Sequence, residues 1–310
     1  MRKFCRLIFT SSLIVLAGLT LASFLGAFHF IFELLSHLRP YFCLAALMIT
    51  LFLLLFKADR VALAGFTLFL INGVQLISLY LPYTDDTGAN AAQVKFLQMN
   101  IWGGKNRNYD AVIGEIKSEN ADIVGLSEIT REWWAVLQPK LKSYPYQIVE
   151  PSYGGICLAS RLPIKDGRVE HYGKIKRPRI VADVLVHDRW VRVIFAHPVI
   201  PMRHVGMRNG ELAVIARDAR SADKPVILAG DLNCTPWSYF FYRLERDGNL
   251  RDTEKGFGYQ PSWSMFHPLP LLCIDHCLAS WQFSTLKRYN GRYVGSDHLP
   301  VITELKLQVL

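Results

Sequence analysis

The first quarter of the chain is almost wholly apolar, and this constrains the fold more than any other feature. Three hydrophobic stretches run over about Leu7–Phe30, Tyr41–Phe56 and Val61–Leu81. A membrane-spanning helix needs about 20 consecutive apolar residues, so the first and third are long enough, and the second is short but uninterrupted. The tight connection at 57–60 predicts a helical hairpin. We therefore expect residues 1–82 to form a membrane anchor with three transmembrane helices.

Positive charges predict how these helices are oriented. Three basic residues precede the first span, and Lys57 and Arg60 connect the second span to the third. Loops rich in Lys and Arg face the cytoplasm in membrane proteins. If both groups are cytoplasmic, three crossings place everything after Leu81 outside the cytoplasm. A cleaved signal peptide over residues 1 to about 25 is the alternative, but two further apolar stretches follow and favour the anchor.

The rest of the chain has the composition of a soluble protein. Residues 83–92 are small and polar and are expected to form a linker, and residues 93–310 are expected to form one domain. The four cysteines in that domain lack metal-finger spacing and are interpreted as small buried residues. Residues 83–310 contain 29 basic and 24 acidic residues, and this mild excess of positive charge suits an anionic substrate without requiring one.

Apolar runs in residues 93–310 predict more strands than helices, and several strands follow one another directly. This order argues against a doubly wound parallel sheet and favours two packed sheets flanked by helices. A helix is expected to begin at Thr235-Pro236 because hydroxyl caps and proline favour helix starts. The predicted strands cover 94–100, 121–126, 147–149, 156–159, 180–186, 190–196, 226–229, 272–279 and 301–305, and the predicted helices cover 109–118, 207–219 and 237–244.

Residues that bind metals or transfer protons lie at or near the ends of these strands. The motif Ser296-Asp297-His298 opens the last strand, and an adjacent carboxylate and imidazole can bind a metal ion and activate water. Gly230 lets the chain turn sharply before Asp231 and Asn233. The other candidates at strand ends or within an apolar run are Asn100, Glu128, His197 and Asp275.

Each of these residues also has a simpler interpretation. Asp231 and Asn233 would suit a turn with a helix cap, Glu128 would suit a solvated surface, and His197 would suit a buried ring satisfied by the backbone. Asp275 lies inside an apolar run, so its carboxylate needs a partner, and His298 is the natural one. His276 faces the other side of the same strand by alternation and is left out of the site.

The order of these motifs resembles that of the endonuclease/exonuclease/phosphatase (DNase I-like) superfamily. The resemblance covers about residues 94–306, and Gly230-Asp-Leu-Asn233 and Gly295-Ser-Asp-His-Leu-Pro300 are its most specific parts. The apolar region before the domain resembles that of a bacterial membrane-anchored subgroup. The resemblance implies a four-layer α/β sandwich, with two packed mixed β-sheets flanked by helices, and an Mg²⁺-dependent phosphoesterase, with Mn²⁺ as a possible replacement.

The resemblance also implies roles for individual residues. Glu128 would be the main metal ligand, with Asn100 and Asp297 close to the metal, and Asp275 would orient His298, which activates water. Asp231 and Asn233 would position the nucleophile and bind phosphoryl oxygens, and His197 would assist the leaving group or bind phosphate. DNase-like members support that histidine with an acidic residue. The stretch Tyr153-Gly154-Gly155 lacks one here, and Tyr153 would be a substitute phosphate contact.

The substrate stays open at this stage. A nucleic acid or a phospholipid headgroup would suit the basic segment 174–179 together with Arg203 and Arg208, and a solvated loop is the simpler interpretation. The alternatives are a sphingomyelinase-like or phosphoinositide lipid phosphoesterase and a non-catalytic membrane-anchored scaffold. The expected location is a bacterial inner membrane, crossed several times, with a periplasmic domain. The lipid bilayer is an expected partner, and nothing in the sequence indicates an obligate protein partner.

Overall fold

A computed structural model describes residues 2–83, 92–263 and 272–308 of the chain. The predicted linker at 83–92 falls almost entirely outside these ranges, and Tyr83 is its only described member before β1 begins at Ala92. The side chain of Arg203 is also outside the description. Two regions follow one another, an N-terminal group of apolar helices and a mixed α/β domain.

The N-terminal region contains four helices: α1 (Arg2–Ser23), α2 (Phe30–Ser36), α3 (Arg39–Leu55) and α4 (Asp59–Ile77), the last continued by a 3-10 turn over Ser78–Tyr80. Two of them, α1 and α4 with its turn, are long and apolar enough to cross a membrane. The axes of α2 and α3 meet at 64°. The prediction of three transmembrane helices is therefore only partly confirmed, since the second apolar stretch is part of a bent pair.

Proline explains the bend between α2 and α3. Pro40 lies in the first turn of α3, where its missing N–H costs nothing and its fixed φ favours the start of a helix. A continuous helix through this point would lose a backbone hydrogen bond and bring the proline ring against the preceding turn. The chain therefore begins a new helix after His37 and Leu38.

Helices α1, α3 and α4 pack together along their lengths. Leu16, Ala46, Leu53 and Ala62 are among the buried residues at their contact, while many apolar side chains on the outside are exposed. At one end, the Arg6 guanidinium donates hydrogen bonds to the carbonyl oxygens of Phe56 (2.7 Å) and Lys57 (2.8 Å). This contact brings both positively charged groups of the N-terminal region to the same end.

The domain contains two six-stranded mixed sheets. The first has the order β11-β12-β1-β2-β4-β3, and the second has the order β5-β6-β7-β8-β10-β9. The strands are β1 (Ala92–Asn100), β2 (Ile123–Ser127), β3 (Tyr146–Glu150), β4 (Ile156–Ser160), β5 (Ile164–Tyr172), β6 (Arg177–Val186), β7 (Arg189–Ala196), β8 (Val226–Asp231), β9 (Leu250–Asp252), β10 (Asp275–Ser280), β11 (Phe283–Asn290) and β12 (Val301–Leu307).

Helices cover the outer face of each sheet. Helices α5 (Tyr109–Glu119) and α6 (Arg131–Leu137) pack on the first sheet, and α7 (Pro201–Arg220) and α8 (Tyr239–Gly248) pack on the second. The inner faces meet in a core of fully buried side chains that includes Phe96 and Phe195. The predicted four-layer sandwich of two mixed sheets flanked by helices is confirmed, because strands buried on both faces need a cover on each side.

Most predicted elements are present with extended ends, but some differ. Helix α8 begins after Ser238, whose side chain accepts a hydrogen bond from the N–H of Phe240, so the expected helix start at Thr235-Pro236 is wrong. Strand β10 begins at Asp275, so Cys273 lies outside it. The strands β5 and β11 were not predicted, because both are polar and partly exposed. The prediction that Cys157, Cys234, Cys273 and Cys277 are buried is confirmed.

Candidate active site

The carboxyl ends of several strands meet at one edge of the sandwich. Asn100 is the last residue of β1 and pairs in parallel register with Ser127, so Glu128 emerges beside it. In the second sheet, Asp231 at the end of β8 lies opposite Asp275 at the start of β10. The two sheets therefore present their polar ends to one another, and the residues predicted from separate motifs are brought together here.

Two glycines permit the close approach of backbone segments at this edge. Gly230 has φ +139°, and a Cβ on it would lie 1.9 Å from the carbonyl oxygen of Ala196, the last residue of β7. A Cβ on Gly103 would lie 2.0 Å from the carbonyl oxygen of Glu128. Any side chain at either position would push apart the strands and loops that carry Asp231, His197 and Glu128.

His298 and Asp275 form the central pair. The Nδ1 atom of His298 lies 2.8 Å from Oδ2 of Asp275, and both side chains are buried. Oδ2 of Asp275 also accepts a hydrogen bond from the Ser262 hydroxyl at 2.6 Å. A carboxylate can only accept from Nδ1–H, so this contact leaves Nε2 of neutral His298 with its lone pair facing the site.

Asp231 connects this pair to the other site residues. Its Oδ2 accepts a hydrogen bond from Nδ2 of Asn100 at 3.1 Å and lies 3.3 Å from Nε2 of His197 and 3.7 Å from Nε2 of His298. Nδ2 of Asn100 also donates to Oε1 of Glu128 at 3.2 Å. Asn100, Glu128, His197, Asp231 and His298 therefore form one continuous polar cluster.

Burial and charge act in opposite directions on the pKa values of this cluster. Burial disfavours the imidazolium form of His298, but the carboxylates of Asp275 and Asp231 outweigh it and raise its pKa to about 10. Burial would raise the pKa of Asp231, but His298 and His197 together lower it well below its usual range. The cluster without added charge therefore favours a protonated His298 beside an ionised Asp231.

The oxygen atoms near Glu128 fit a hard divalent cation. The Glu128 side chain is 27% exposed, so its carboxylate is accessible from solvent. Oδ1 of Asp297 is buried and has no hydrogen-bond partner within the described residues, while Oδ2 accepts from Nε1 of Trp263 at 3.2 Å. Burial is the main cause that raises the pKa of Asp297, and the nearby Glu128 raises it further. The positive charge of a bound cation would lower this pKa again. Carboxylate oxygens are the ligands that Mg²⁺ prefers.

Asn100 is oriented differently from the other two predicted metal ligands. It presents its amide nitrogen to Glu128 and Asp231, and its Oδ1 accepts from the N–H of Trp102 at 3.0 Å. Three other ionisable side chains, Asp231, Asp275 and His298, have ligand atoms within 4.8 Å of one another. The short contact between His298 and Asp275 already occupies two of these ligand atoms. Oδ1 of Asp297, in contrast, has no hydrogen-bond partner among the described residues.

The predicted substrate-binding residues lie around this cluster in three different settings. Asn233 has a left-handed backbone (φ 49°), its N–H donates to Oδ1 of Asp231, and its Nδ2 donates to the carbonyl oxygen of Pro198. His197 is buried, and its Nδ1 has no hydrogen-bond partner in the described part of the chain. Tyr153 is 94% exposed between β3 and β4, so its ring does not join the buried cluster.

Four supporting residues were not assigned roles from the sequence. The Ser296 hydroxyl donates to the carbonyl oxygen of Asn100 at 2.7 Å and accepts from the N–H of His298. Ser262 and Trp263 contact Asp275 and Asp297, and the Trp263 ring lies 6.2 Å from the His298 ring. Trp102 binds Asn100 through its backbone. Of these, only Ser296 lies inside a recognised motif, and no sequence period indicates the others.

The basic residues that were considered for an anionic partner are partly unavailable. Arg208 is fully buried and forms an ion pair with Glu33 of α2. Arg179 is also buried and forms ion pairs with Glu170 and Asp218. The suggestion that these two residues contact a nucleic acid or a lipid headgroup is therefore wrong, because their guanidinium groups already have carboxylate partners inside the protein.

Comparison with known proteins agrees with this geometry. Residues 97–298 match the model of the Endonuclease/Exonuclease/phosphatase family. No curated protein matches the chain. Among solved structures, truncated TDP2 of Caenorhabditis elegans superposes with a TM-score of 0.59 at 16% identity, over 69% of this chain and 97% of that one.

Two further structures share the fold. An endonuclease/exonuclease/phosphatase from Beutenbergia cavernae has a TM-score of 0.57 at 21% identity, covering 70% of this chain and 72% of that one. TDP2 of D. rerio, solved with a single-strand DNA product, has a TM-score of 0.59 at 14% identity, covering 69% and 98%. At these identities the superpositions establish the fold, and the family match covers most of the chain. The chain therefore belongs to the Endonuclease/Exonuclease/phosphatase family and is a metal-dependent phosphoric ester hydrolase.

Proposed function

We propose that this protein is a membrane-anchored, Mg²⁺-dependent phosphoesterase in which His298, held by Asp275, activates water. The observation that carries the proposal is the buried 2.8 Å contact between Nδ1 of His298 and Oδ2 of Asp275. Nδ2 of Asn100 lies 3.5 Å from Nε2 of His298 and 3.2 Å from Oε1 of Glu128, and so connects this pair to the accessible carboxylate. Residues 93–310 are the proposed catalytic domain. Residues 1–82 are the proposed anchor, with the linker at 83–92 between them.

The proposed reaction is an in-line displacement at phosphorus. Nε2 of neutral His298 takes a proton from water while the water oxygen bonds to phosphorus, and the bond to the leaving oxygen breaks on the opposite side. Asp275 keeps the proton on Nδ1 and stabilises the imidazolium that forms. His197 is proposed to donate a proton to the leaving oxygen or to bind phosphate, Asn233 to bind a phosphoryl oxygen, and the ionised Asp231 to position the attacking water.

Glu128 and Asp297 are the proposed ligands of the cation, and Asn100 orients Glu128 through its Nδ2 atom. When bound, a divalent cation stabilises the negative charge that develops on the phosphoryl and leaving oxygens. Added positive charge near His298 also lowers its pKa from about 10. A larger fraction of His298 is then neutral and able to accept a proton near pH 7. Mn²⁺ has the same preference for oxygen ligands and is the expected replacement.

Activity of the full-length protein in nanodiscs tests this proposal. Hydrolysis of bis-p-nitrophenyl phosphate should require Mg²⁺ or Mn²⁺ and stop with EDTA. Asp275→Asn should lower kcat by about 10²-fold or more, because the histidine loses its orienting carboxylate. Glu128→Gln should instead raise the Mg²⁺ concentration that gives half-maximal activity by about ten-fold or more. Absence of hydrolysis with every metal would favour the non-catalytic scaffold.

The location proposed for the domain is the periplasmic side of a bacterial inner membrane. Arg6 holds the N-terminus beside the α3–α4 connection, so both positive groups lie at one end of the helices. Helix α3 has 17 residues and is about 26 Å long. It lies between α1 and α4 in the chain, so we propose that it crosses the membrane as well, which makes three crossings in total. The domain follows α4 and lies at the opposite end from the positive charges, which supports an extracytoplasmic position.

A reporter fused after Leu310 tests the orientation. Alkaline phosphatase, which needs an oxidising compartment, should be active in this fusion, and a cytoplasmic reporter should be inactive. A matched fusion after Lys57 should give the reverse result, because that residue lies at the positive end of the anchor. Cytoplasmic activity of the Leu310 fusion would contradict the proposed orientation.

A lipid phosphoester is a second candidate substrate because of how the domain meets the anchor. The backbone N–H groups of Gly256 and Gly258 both donate to the carbonyl oxygen of Leu79 at the end of the anchor, at 2.8 and 3.0 Å. These bonds join the domain to the end of the proposed anchor, which supports a substrate among the lipid headgroups. Parallel assays with plasmid DNA, RNA and phospholipid vesicles distinguish the candidates, since only one class should be hydrolysed efficiently.

A further inference from the structure

A buried carboxylate in the apolar N-terminal region is bonded to the catalytic domain. Glu33 of α2 is fully buried, and an unpaired carboxylate in such a place would be costly. Its Oε1 accepts hydrogen bonds from Nη2 of Arg208 at 2.7 Å and from the Ser238 hydroxyl at 2.6 Å. Both partners belong to the domain, so α2 contributes to the folding of the domain as well as to the anchor.

The second terminal nitrogen of the Arg208 guanidinium bonds to a residue of the candidate active site. Nη1 of Arg208 donates to the carbonyl oxygen of Asn233 at 2.9 Å. Asn233 has a left-handed backbone, which a non-glycine residue adopts only when surrounding contacts hold it there. The guanidinium has a fixed planar geometry, so one side chain fixes the distance between Glu33 and Asn233.

A second contact between α2 and the same loop supports this connection. Nδ1 of His37, the residue after α2, lies 2.8 Å from the hydroxyl oxygen of Thr235. The contacts of Glu33 with Ser238 and of His37 with Thr235 both fall on the segment 233–238, two residues after Asp231. The helix that bends away from α3 thus lies against the segment that begins with Asn233, a proposed phosphoryl-binding residue.

We propose that Glu33 and Arg208 are positioning residues, which couple the membrane anchor to catalysis by holding Asn233 in its active conformation. The proposal rests on the proposed phosphoesterase function. Displacement of α2 removes the guanidinium from the Asn233 carbonyl, and the Asn233 side chain then leaves its place beside the substrate. Activity therefore depends on the state of the anchor, and the domain alone lacks a residue that its site needs.

A double-mutant cycle in the full-length protein tests the coupling. Arg208→Lys provides one ammonium in place of the two-armed guanidinium and should lower kcat for bis-p-nitrophenyl phosphate by about ten-fold. In an Asn233→Ala background the same substitution should have little effect, because no side chain remains to be positioned. Equal losses in both backgrounds would overturn the proposal. Glu33→Gln should cause a smaller loss, since its amide oxygen still accepts hydrogen bonds.

Arg39→Lys is the matched control. Arg39 is also buried, but its hydrogen-bond partners Ser23 and Asn72 both lie in the anchor. Its substitution should lower the melting temperature about as much as Arg208→Lys while leaving kcat unchanged. An equal loss of kcat in Arg39→Lys would indicate a general structural effect and would overturn the positioning role.

Hydrogen–deuterium exchange measures the connection without any substrate. Backbone amides of residues 231–236 should exchange faster in Arg208→Lys than in the unsubstituted protein, and Arg39→Lys should leave them unchanged. Unchanged exchange in Arg208→Lys would overturn the proposal even if the protein is an active phosphoesterase. Faster exchange in a protein that hydrolyses none of the substrates would support the connection while the proposed function failed.

Discussion

Two clusters of two carboxylates and one histidine share strand β10 but face opposite sides of it. Asp275 faces the strand ends, where it meets Asp231 and His298, and the next residue, His276, faces Asp252 and Glu254. All six side chains are buried, and each group has three ligand atoms within 4.8 Å of one another. Residue type and spacing therefore do not separate an active site from a buried polar cluster.

The two histidines titrate in opposite directions. Carboxylates around His298 outweigh burial and raise its pKa to about 10. Burial lowers the pKa of His276, whose Nε2 lies 2.7 Å from the carbonyl oxygen of Cys234 and whose ring packs on Phe241. A carbonyl oxygen can only accept a hydrogen bond, so Nε2 of neutral His276 carries the proton and its Nδ1 is unprotonated.

The carboxylates differ in the same way. The two neighbouring histidines lower the pKa of Asp231. The pKa of Asp252 is instead raised to about 6, mainly by burial and secondly by the negative charge of Glu245. The positive charge in the second cluster comes from Arg288, 3.4 Å from Oε2 of Glu254. The first cluster is continuous with the accessible Glu128, and the second is buried. Access and the source of positive charge therefore distinguish the proposed catalytic cluster from the second one.

The largest expected difference is between the two histidines. His298→Ala should lower kcat by about 10²–10⁴-fold, because the proposed base is lost, and should also lower the free energy of unfolding, because the buried Asp275 and Asp231 lose their partner. His276→Ala should keep most of the activity and lower the free energy of unfolding by about 2–4 kcal/mol, because a packed ring and a buried hydrogen bond are removed. Steady-state kinetics and chemical unfolding of both variants measure this. Comparable activity losses would remove the functional distinction between the clusters.

The charge of Arg288 gives the next largest effect. Arg288→Met should lower the free energy of unfolding by about 3–5 kcal/mol at pH 7, because it leaves buried carboxylates without their cation. The loss should be smaller at pH 5, where Asp252 is mostly protonated. Arg243→Met is the control, since its ion pair with Asp247 is exposed and should contribute at most about 1 kcal/mol. A pH-independent loss would argue against charge compensation in the second cluster.

The smallest effect concerns the proton on Asp252. Its pKa is about 6 in the folded protein and 3.8 ordinarily, so the folded state binds the proton more tightly. The bound proton therefore stabilises the folded state fully below pH 3.8, and this stabilisation is lost as the pH rises through 6. The free energy of unfolding falls by at most about 3 kcal/mol over this range. The neutral amide of Asp252→Asn resembles the protonated carboxyl group. The variant should therefore have the same melting temperature as the unsubstituted protein at pH 4 and a higher one at pH 8. Thermal unfolding at both pH values checks this, and lower stability at pH 8 would contradict it.

The motifs predicted much of the fold and the candidate site, because their residues follow strands whose ends must meet. Gly230-Asp-Leu-Asn233 and Ser296-Asp297-His298 were recognised from local spacing, and Asp275 was paired with His298 because a buried carboxylate needs a partner. Ser262 and Trp263 could not be found in this way. Their contacts with Asp275 and Asp297 join segments 13 and 34 residues apart, and no local pattern records such contacts.

The sequence alone determined the apolar N-terminal helices, the family and the residue types of the candidate site, since hydropathy and strand-end motifs are local properties. Only the tertiary structure decided that the second apolar stretch bends at Pro40 and that Glu33 pairs with Arg208, 175 residues away. It also decided which of two similar acid–histidine clusters is accessible. Pairing and burial depend on which elements become neighbours, and these determine the charge state of each group.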